Sequence, residues 1–313
     1  RGHSKVSFGS SKLKQAICEV LSDEGFIKKV EKPVKLLGRG TLNKKITIQV
    51  EMVSFGAAEA VKKAGNKLKA FQDKNIVSGL KKWNKHEAGL VTEADLISEK
   101  IIIETISSKS SFPILSEEST EEFSFIDNEN FWAIDPLCGT VPFSNSLDTW
   151  GLTVSFFSSN NSSVGAIMCP SSNEIIYCDE ENVYKNADIL TPRHNFPERE
   201  DMTLCLEIEK GKNWVDLFKN ELDWVKNFSY VNSFASAVYP GSQVIKGNLP
   251  IMAIYNISLE HVGALILIGN KLGIKSTDLK GNELNVNEFK NNTPEWFIFG
   301  WPDALENLMN KIN

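Results

Sequence analysis

The stretch FWAIDPLCGTVPF, residues 131–143, is the part of the sequence that decides the predicted fold. It begins with an apolar run typical of a buried strand, and Asp135 stands at the end of that run. Gly139 and Thr140 follow in a tight turn. A carboxylate at a strand end, followed by Gly-Thr, predicts oxygen ligands for Mg²⁺ beside backbone N–H groups that can hold a phosphate. Cys138 does not suit such a site, because thiolate is a soft ligand that Mg²⁺ binds poorly.

Two other acidic stretches precede this one along the chain. VTEAD ends at Asp95, and LSEES contains Glu117 and Glu118. Taken singly, each is weak evidence for a site, because a Glu-Glu pair is more often a solvated turn. Together with Asp135 they indicate carboxylates gathered at the starts of helices and the ends of strands.

Length and composition predict a two-lobed globular protein. The chain has 313 residues, of which 42% are hydrophobic, enough for two apolar cores. No window approaches the roughly 20 apolar residues that cross a bilayer, and the first residues lack the apolar stretch of a secretory signal, so we expect a cytoplasmic protein without a membrane partner. Five cysteines without a CxxC spacing indicate neither a zinc site nor a disulfide framework.

The first 51 residues differ in charge from the remainder. They hold 11 Lys and Arg against 5 Asp and Glu, whereas the remaining chain holds 23 against 35. The stretch SSKLKQAICEVLSDEGFI resembles the opening helix and strand of the eighth protein of the small ribosomal subunit, which binds ribosomal RNA. Three explanations stay open: a gene-joining artefact, a true fusion with a vestigial head, and an RNA-binding module. Half a domain buries too little apolar surface to fold alone, which argues against RNA binding.

Helices and strands alternate in the rest of the chain. A helix is predicted over 56–71, and a second begins at Thr92 and Asp95, with isoleucines 97, 101, 102 and 106 as its buried face. Short strands follow in FPILSEE, NFWAIDP, WGLTVSFF, SVGAIMC and EIIYCDE, and KKITIQVEM is predicted as a strand of the basic head. The pattern predicts an α/β (α+β layered) architecture with a short basic helix-strand extension.

The order LVTEAD, ILSEES, WAIDPLCGTVPF and a Gly-Ala-rich helix start is similar to the inositol monophosphatase family. The family pattern runs VTxxD, GEE, DPxDGTxxF and WDxAAG, and the resemblance covers about residues 52–313. It implies alternating layers of helices and mixed sheets, with an N-terminal lobe at about 52–185 and a C-terminal lobe at about 186–313. It also implies a Mg²⁺-dependent phosphatase of small phosphorylated metabolites, and family members are often dimers.

The resemblance implies a role for each residue that matches a motif. Glu117 and the Leu137 carbonyl would bind the first Mg²⁺, and Asp135 would bridge two ions. Thr140 and Asp95 would align the attacking water. The residues that would hold phosphate or substrate are Cys138, Gly139, Thr140 and Ser236.

Three departures from the family pattern concern the second metal and the substrate. Cys138 stands where a metal-binding Asp is expected, and aligning GALIL with the last motif places Leu259 at the other Asp. Glu260 is a candidate substitute ligand. Two roles stay open for His261: a residue that faces the pocket and, more often for a lone histidine beside an apolar helix, a structural hydrogen-bonding residue. The acidic substrate contact falls at Pro240. We therefore expect one intact Mg²⁺ site and a degraded second one.

Two functions stay open on this evidence. The first is a weak Mg²⁺-dependent phosphomonoesterase acting on a small polyol, sugar or nucleotide phosphate. The second is a catalytically inactive relative that binds a phosphorylated ligand or serves as a partner subunit.

Overall fold

The computed structural model describes residues 48–74, 76–84, 90–119, 123, 129–159, 163–192, 203–208, 216, 219, 222–291 and 293–312. The chain divides into two units, Arg1–Ile46 and Thr47–Asn313. The helix and strand predicted in the basic head lie outside the described residues, except for the end of KKITIQVEM. Within the described part of the chain, no helix is both long and apolar enough to cross a membrane.

The first helix, α1 (Ile48–Asp73), overturns one strand prediction. Residues 48–52 belong to this helix, so the alternating pattern of KKITIQVEM does not form a strand there. A few alternating residues carry a weak signal, and a helix already formed extends at little entropic cost. The proposed boundary between residues 51 and 52 lies inside α1. The predicted buried face of α1 is confirmed, since Ala57, Val61, Ala64 and Leu68 are fully buried.

The elements of the first half are β1 (Lys82–Asn84), β2 (Leu90–Thr92), α2 (Glu93–Ser107), β3 (Ile114–Ser116), β4 (Phe131–Cys138), α3 (Thr140–Ser144), β5 (Gly151–Phe157), β6 (Val164–Cys169), β7 (Glu174–Cys178), β8 (Val183–Lys185) and β9 (Asp188–Ile189). Strands β3 to β9 form one seven-stranded sheet in chain order. Its pairs are antiparallel except β3 with β4. The five predicted strands of this half are confirmed.

The second half contains β10 (Thr203–Ile208), β11 (Tyr230–Asn232), α4 (Val238–Ile245), β12 (Ile251–Tyr255), α5 (Leu259–Leu272), β13 (Lys275–Thr277), α6 (Val286–Asn291), β14 (Trp296–Gly300) and α7 (Pro302–Ile312). Its five-stranded sheet has the order β11-β10-β12-β14-β13. The two sheets lie on either side of the proposed lobe boundary near residue 185, except that β9 pairs with β8.

The helices and sheets alternate in layers, as the sequence predicted. One apolar cluster joins α1 and α2 to one face of the first sheet, with Trp132, Ile134 and Leu152 among its buried members. A second cluster joins the other face to α5 and to the second sheet. A third packs α7 against the outer face of the second sheet. Helix α5 is therefore covered by a sheet on each side, which explains its apolar sequence.

Helix α2 turns a different face inward from the one predicted. Ile102 and Ile106 are buried, but residues 97 and 101 are only half-buried. Asp95 and Ser98 are fully buried instead. The Ser98 hydroxyl donates a hydrogen bond of 2.5 Å to the Pro136 carbonyl, and Asp95 has partners described below. Polar side chains with such partners can occupy buried positions that a hydrophobicity pattern assigns to apolar residues.

Strand β4 is irregular at the stretch that decided the predicted fold. Asp135 pairs with Thr153 and Cys138 with Gly151, so two residues of β4 lie opposite one residue of β5. Such a bulge turns the following side chains and carbonyls away from the regular ladder. The proline at 136 fits here, because a bulge needs no hydrogen bond from that position.

Candidate metal and phosphate site

The acidic residues predicted from the sequence meet at the end of β4. Asp95 lies in the first turn of α2, Glu117 directly follows β3, and Asp135 lies in the β4 bulge. Thr140 begins α3, which follows β4 after a single glycine. The structure thus brings together residues from four elements of the N-terminal lobe.

The start of α2 holds Asp95 in one orientation. Oδ2 of Asp95 accepts hydrogen bonds from the Thr92 backbone N–H at 2.8 Å and from the Thr92 hydroxyl at 2.7 Å. The Thr92 hydroxyl oxygen in turn accepts from the Ala94 N–H at 3.1 Å. This is a capping box, which satisfies N–H groups that the first helical turn would leave unpaired. The other carboxylate oxygen remains directed at Thr140.

Thr140 and Asp95, which the resemblance assigns to aligning the attacking water, are hydrogen-bonded to each other. The Thr140 hydroxyl donates to Oδ1 of Asp95 at 2.9 Å and lies 3.3 Å from the Leu137 carbonyl oxygen. Burial raises the pKa of Asp95 to about 7, and the charge of Glu118 adds to this effect while the bonds from Thr92 and Thr140 oppose it. The hydroxyl is therefore held between a carboxylate and the carbonyl expected to bind metal.

The oxygen atoms expected at the first metal site are compatible with Mg²⁺. The Glu117 N–H donates to the Ile134 carbonyl at 3.1 Å, which holds Glu117 beside Asp135. Burial and the neighbouring Asp135 raise the pKa of the Glu117 carboxyl. Asp135 is buried and Glu117 is half-buried, and two such neighbouring carboxylates that disfavour each other's charge are stabilised by a cation between them. Glu117, Asp135 and the Leu137 carbonyl supply only oxygen, the donor that Mg²⁺ prefers.

Gly139 has the backbone geometry of a tight turn. Its φ is +99°, which is the left-handed region that favours glycine. A Cβ at this position would lie 3.1 Å from the Cβ of Ser236, so a larger residue would press against the C-terminal lobe. The adjacent N–H groups of this turn precede a short helix.

The Cys138 sulfur is held by the segment that begins α4. It accepts hydrogen bonds from the Ala237 N–H at 3.1 Å and the Val238 N–H at 3.4 Å, and the Ser236 hydroxyl lies 3.5 Å away. The Ser236 hydroxyl also donates a hydrogen bond of 3.1 Å to the Cys138 carbonyl oxygen. Cys138 therefore connects the two lobes at the site.

His261 lies in the site beside Asp135, where the sequence left open whether it would face the pocket or serve as a structural hydrogen-bonding residue. Its Nδ1 is 2.6 Å from Oδ2 of Asp135, and its side chain is buried. Matching Gly263 and Ala264 with the two alanines of WDxAAG places His261, not Leu259, at the aspartate. That alignment was the signal available in the sequence. Leu259 is a core residue of the cluster around α5.

Glu260 lies next to this histidine. Its Oε1 accepts a hydrogen bond from the Ser258 hydroxyl at 2.5 Å and is 3.9 Å from Nε2 of His261. Its role as a substitute metal ligand stays a prediction, because His261 is the residue that reaches Asp135.

The second site does not fit Mg²⁺. Asp135, Cys138 and His261 offer one carboxylate oxygen, one sulfur and one imidazole nitrogen, all within 4.8 Å of one another. Mg²⁺ requires near-octahedral oxygen coordination, and neither sulfur nor imidazole replaces an anionic oxygen for it. Pro240 is buried within α4 and offers no polar atom to a sugar hydroxyl.

A family model described as the inositol monophosphatase family matches residues 49–290. The chain belongs to this family. A Thermotoga maritima fructose-1,6-bisphosphatase/inositol-1-monophosphatase is 23% identical over 201 residues, covering 63% of this chain and 74% of that protein. The 3'(2'),5'-bisphosphate nucleotidase CysQ of Haemophilus influenzae is 29% identical over 154 residues, covering 47% and 53%. The chain thus spans about half the length of that nucleotidase.

A solved structure of a family member supports the fold. The extragenic suppressor protein suhB from Bartonella henselae superposes with a TM-score of 0.70 at 22% identity. The superposition covers 82% of this chain and 96% of that one. At this identity the likeness establishes the layered fold of the inositol monophosphatase family and nothing further.

A second family model, which describes a group of ribosomal proteins of the 50S and 60S subunits, matches residues 11–69. These large-subunit proteins differ from the small-subunit protein that the sequence resembled. The match overlaps the first one across residues 49–69. Ala57, Val61 and Leu68 of this overlap pack in the core of the phosphatase-like unit, so tertiary structure assigns α1 to that unit.

Proposed function

We propose that this member of the inositol monophosphatase family is a Mg²⁺-dependent phosphomonoesterase acting on a small polyol, sugar or nucleotide phosphate. The observation that carries the proposal is the Thr140 hydroxyl, hydrogen-bonded to buried Asp95 at 2.9 Å and adjacent to the Leu137 carbonyl. A carboxylate that fixes a hydroxyl beside a metal-binding carbonyl can orient a water for attack on phosphorus. The relatives that act on sugar and nucleotide phosphates support the substrate class.

In the proposed mechanism Asp95 and Thr140 orient the attacking water, and the turn at Gly139 holds the phosphate. Asp95 accepts a hydrogen bond from the Thr140 hydroxyl, so the lone pairs of the Thr140 oxygen are free to accept a hydrogen bond from the attacking water. The N–H groups of Gly139 and Thr140 hold the phosphate. Mg²⁺ bound by Glu117, Asp135 and the Leu137 carbonyl would act as a Lewis acid and lower the pKa of water.

We expect the reaction to be slow with Mg²⁺ alone. Two divalent ions about 4 Å apart repel by roughly 16 kcal/mol at an effective dielectric of about 20, so a second Mg²⁺ needs several anionic oxygens to stay bound. Cys138 and His261 do not provide them. The leaving alkoxide then lacks the charge stabilisation that a second ion supplies in two-metal sites.

The same two residues favour a second candidate function. A protein that keeps the phosphate turn but has lost the second Mg²⁺ site can bind a phosphorylated metabolite without hydrolysing it. A homodimer, a cytoplasmic location and RNA binding by the basic head remain further proposals, of which RNA binding has the least support.

The test is a phosphate-release assay on the full chain with polyol, sugar and nucleotide monophosphates over a Mg²⁺ titration. The Asp95→Asn and Thr140→Val variants should each lose about 10²-fold or more of the rate, the usual contribution of a positioned proton acceptor. Asp188→Asn is the matched control, since Asp188 is exposed on an edge strand. If the unaltered chain releases phosphate no faster than the Asp95→Asn variant but still binds the metabolite, the proposal of hydrolysis is refuted. That result would favour the second candidate function, a protein that binds a phosphorylated metabolite without hydrolysing it.

A further inference from the structure

The three side chains that fail to fit Mg²⁺ are well suited to a different ion. Asp135, Cys138 and His261 are 1%, 2% and 5% exposed. Their ligand atoms lie within 4.8 Å of one another although the residues come from β4 and α5, 126 positions apart for Asp135 and His261. We propose that they form a binding site for a late transition metal such as Zn²⁺, in the place of a second Mg²⁺.

The chemistry of the donor set favours such an ion. Thiolate and imidazole bind Zn²⁺, Co²⁺ and Ni²⁺ far better than they bind Mg²⁺. Tetrahedral Zn²⁺ has bonds of about 2.0–2.3 Å, so its ligand atoms lie roughly 3.3–3.7 Å apart. The 2.6 Å contact between Asp135 and His261 would open by about 1 Å to admit the ion, a shift that side-chain rotation can supply.

The surroundings of the sulfur fix its position in the cluster. Two backbone N–H groups, from Ala237 and Val238, donate to the Cys138 sulfur at the start of α4. These contacts hold the sulfur within reach of Asp135 and His261. The sulfur is thus oriented by the second lobe rather than by local packing alone.

Two neighbouring polar groups complete the arrangement. The Glu260 carboxylate lies 3.9 Å from Nε2 of His261, a position from which it can orient the imidazole when Nδ1 binds metal. The hydroxyl of Thr153, the cross-strand neighbour of Asp135, is buried and has no hydrogen-bond partner among the described residues.

Three protein ligands leave one tetrahedral position open for water or a substrate oxygen, as in catalytic rather than structural zinc sites.

This inference concerns metal selection, and it rests on the proposed function only in sharing Asp135 with the first site. Its test reads the metal directly, so that a failure to bind Zn²⁺ and a failure to hydrolyse phosphate are separate results. The two ions divide the work by donor chemistry, with Mg²⁺ on oxygen ligands and the softer ion on sulfur and nitrogen.

The experiment titrates the chelator-treated full chain with Co²⁺ and with Zn²⁺ in the presence of excess Mg²⁺. Co²⁺ bound by a thiolate has a near-ultraviolet sulfur-to-metal charge-transfer absorption, which only a cysteine ligand produces. We expect one equivalent of Co²⁺ with this band, displaced by Zn²⁺ and not by Mg²⁺. The Cys138→Ser and His261→Asn variants should bind Co²⁺ at least about 100-fold more weakly than the unaltered chain. A loss of this size exceeds the one expected when only a residue that orients a metal ligand is changed.

The matched control is Cys169→Ser, because Cys169 is also buried and free but lies outside this cluster. It should keep the band and the affinity. Persistence of the charge-transfer band in the Cys138→Ser variant would overturn the proposal. Equally weak Co²⁺ binding by the unaltered chain and by this variant would overturn it as well. Circular dichroism of each variant separates loss of the ligand from loss of the fold. If Cys138→Ser fails to fold, the His261→Asn variant, which retains every cysteine, still tests the site.

Discussion

Cys138 and His261 change the chemistry of the site while leaving its position in the fold intact. The sulfur of Cys138 and an imidazole nitrogen of His261 both lie within 4.8 Å of an Asp135 carboxylate oxygen. Each substitution alone would leave a mixed ligand set that suits neither Mg²⁺ nor Zn²⁺ well. Their joint occurrence in one cluster is what indicates a coherent site for a softer ion.

Replacing both residues by aspartate should restore a second Mg²⁺ site. For Cys138→Asp/His261→Asp we expect at least about a tenfold gain in Mg²⁺-dependent phosphate release, since a second ion stabilises the leaving oxygen. The matched control is Cys138→Asn/His261→Asn, which has the same shape without the charges. Restored Mg²⁺ binding without a gain in rate would place the limiting defect in the substrate pocket around Pro240.

Two local structures set the positions of Asp95 and His261 in the candidate site. The capping box at the start of α2 holds Asp95, and the close approach of α5 to the first sheet holds His261. A Cβ on Gly165 of β6 would lie 2.9 Å from the Cα of Ala264 in α5. Both structures depend on one or two small or polar residues rather than on the whole apolar core.

Removing the Thr92 hydroxyl should loosen the start of α2. We expect Thr92→Ala to lower the free energy of unfolding by about 0.5–2 kcal/mol, the usual effect of losing an N-cap side chain. Phosphate release should fall as well, because Asp95 loses a bond of 2.7 Å that fixes it toward Thr140. Urea unfolding measures the first effect, and Thr92→Ser, which keeps the hydroxyl, should reverse most of it. Equal destabilisation by both variants would contradict the capping role.

A methyl group on Gly165 should push α5 away from the sheet. We expect Gly165→Ala to destabilise the protein by about 1–3 kcal/mol, the range for overpacking a tight core, and to weaken Co²⁺ binding through displaced His261. Gly79→Ala is the control, because a Cβ there would meet nothing within 4 Å. Thermal unfolding and Co²⁺ titration compare the stability and the Co²⁺ affinity of the two variants. If both quantities are unchanged in Gly165→Ala, α5 can shift without cost in stability.

Across the whole molecule, a buried acid of the second sheet organises the contact between the lobes. Glu207 of β10 accepts hydrogen bonds from the Phe234 N–H at 2.5 Å, the Ala235 N–H at 2.9 Å and the Ser233 hydroxyl at 2.9 Å. These bonds hold the turn that leads to Ser236 and onward to the N–H groups on Cys138. Ala235 has a φ of +53°, a strained value that the surrounding bonds maintain.

Glu207 should make stability depend on pH. Burial raises its pKa from 4.5 to about 7, so the folded protein binds this proton more tightly than the unfolded chain does. The stabilisation is complete below pH 4.5 and is lost as pH rises through about 7, because the slope follows the difference in bound protons. We expect Glu207→Gln to lessen the fall in unfolding free energy between pH 5 and 8 by up to about 3 kcal/mol.

Urea unfolding at a series of pH values measures this slope. Glu306→Gln, at an exposed position of α7, should keep the slope of the unaltered protein. A Glu207→Gln slope equal to that of the unaltered protein would assign the pH dependence to other buried acids, such as Asp95.

Local sequence signals predicted five of the seven strands of the first sheet and the start of α2, which Thr92 and Asp95 marked. They did not predict the buried face of α2 or the helical state of residues 48–52. Asp95, Glu117, Asp135 and Thr140 were proposed as site residues because each lies in a short motif next to a strand or helix end. Glu207 was missed, since a single acid within an apolar strand has no motif around it.

The amino-acid sequence alone was therefore enough to establish the layered fold, the family and the loss of a carboxylate at Cys138, because each depends on residues close together in the chain. The sequence allowed two alignments of the last motif, and the tertiary structure decided between them by placing His261, not Leu259, against Asp135 and Cys138. That meeting depends on how closely α5 packs on the first sheet, where Gly165 and Gly263 admit the helix backbone. Packing across the core brings the start of α5 to the end of β4, and so it determines which side chain joins Asp135 and Cys138 in the proposed second metal site.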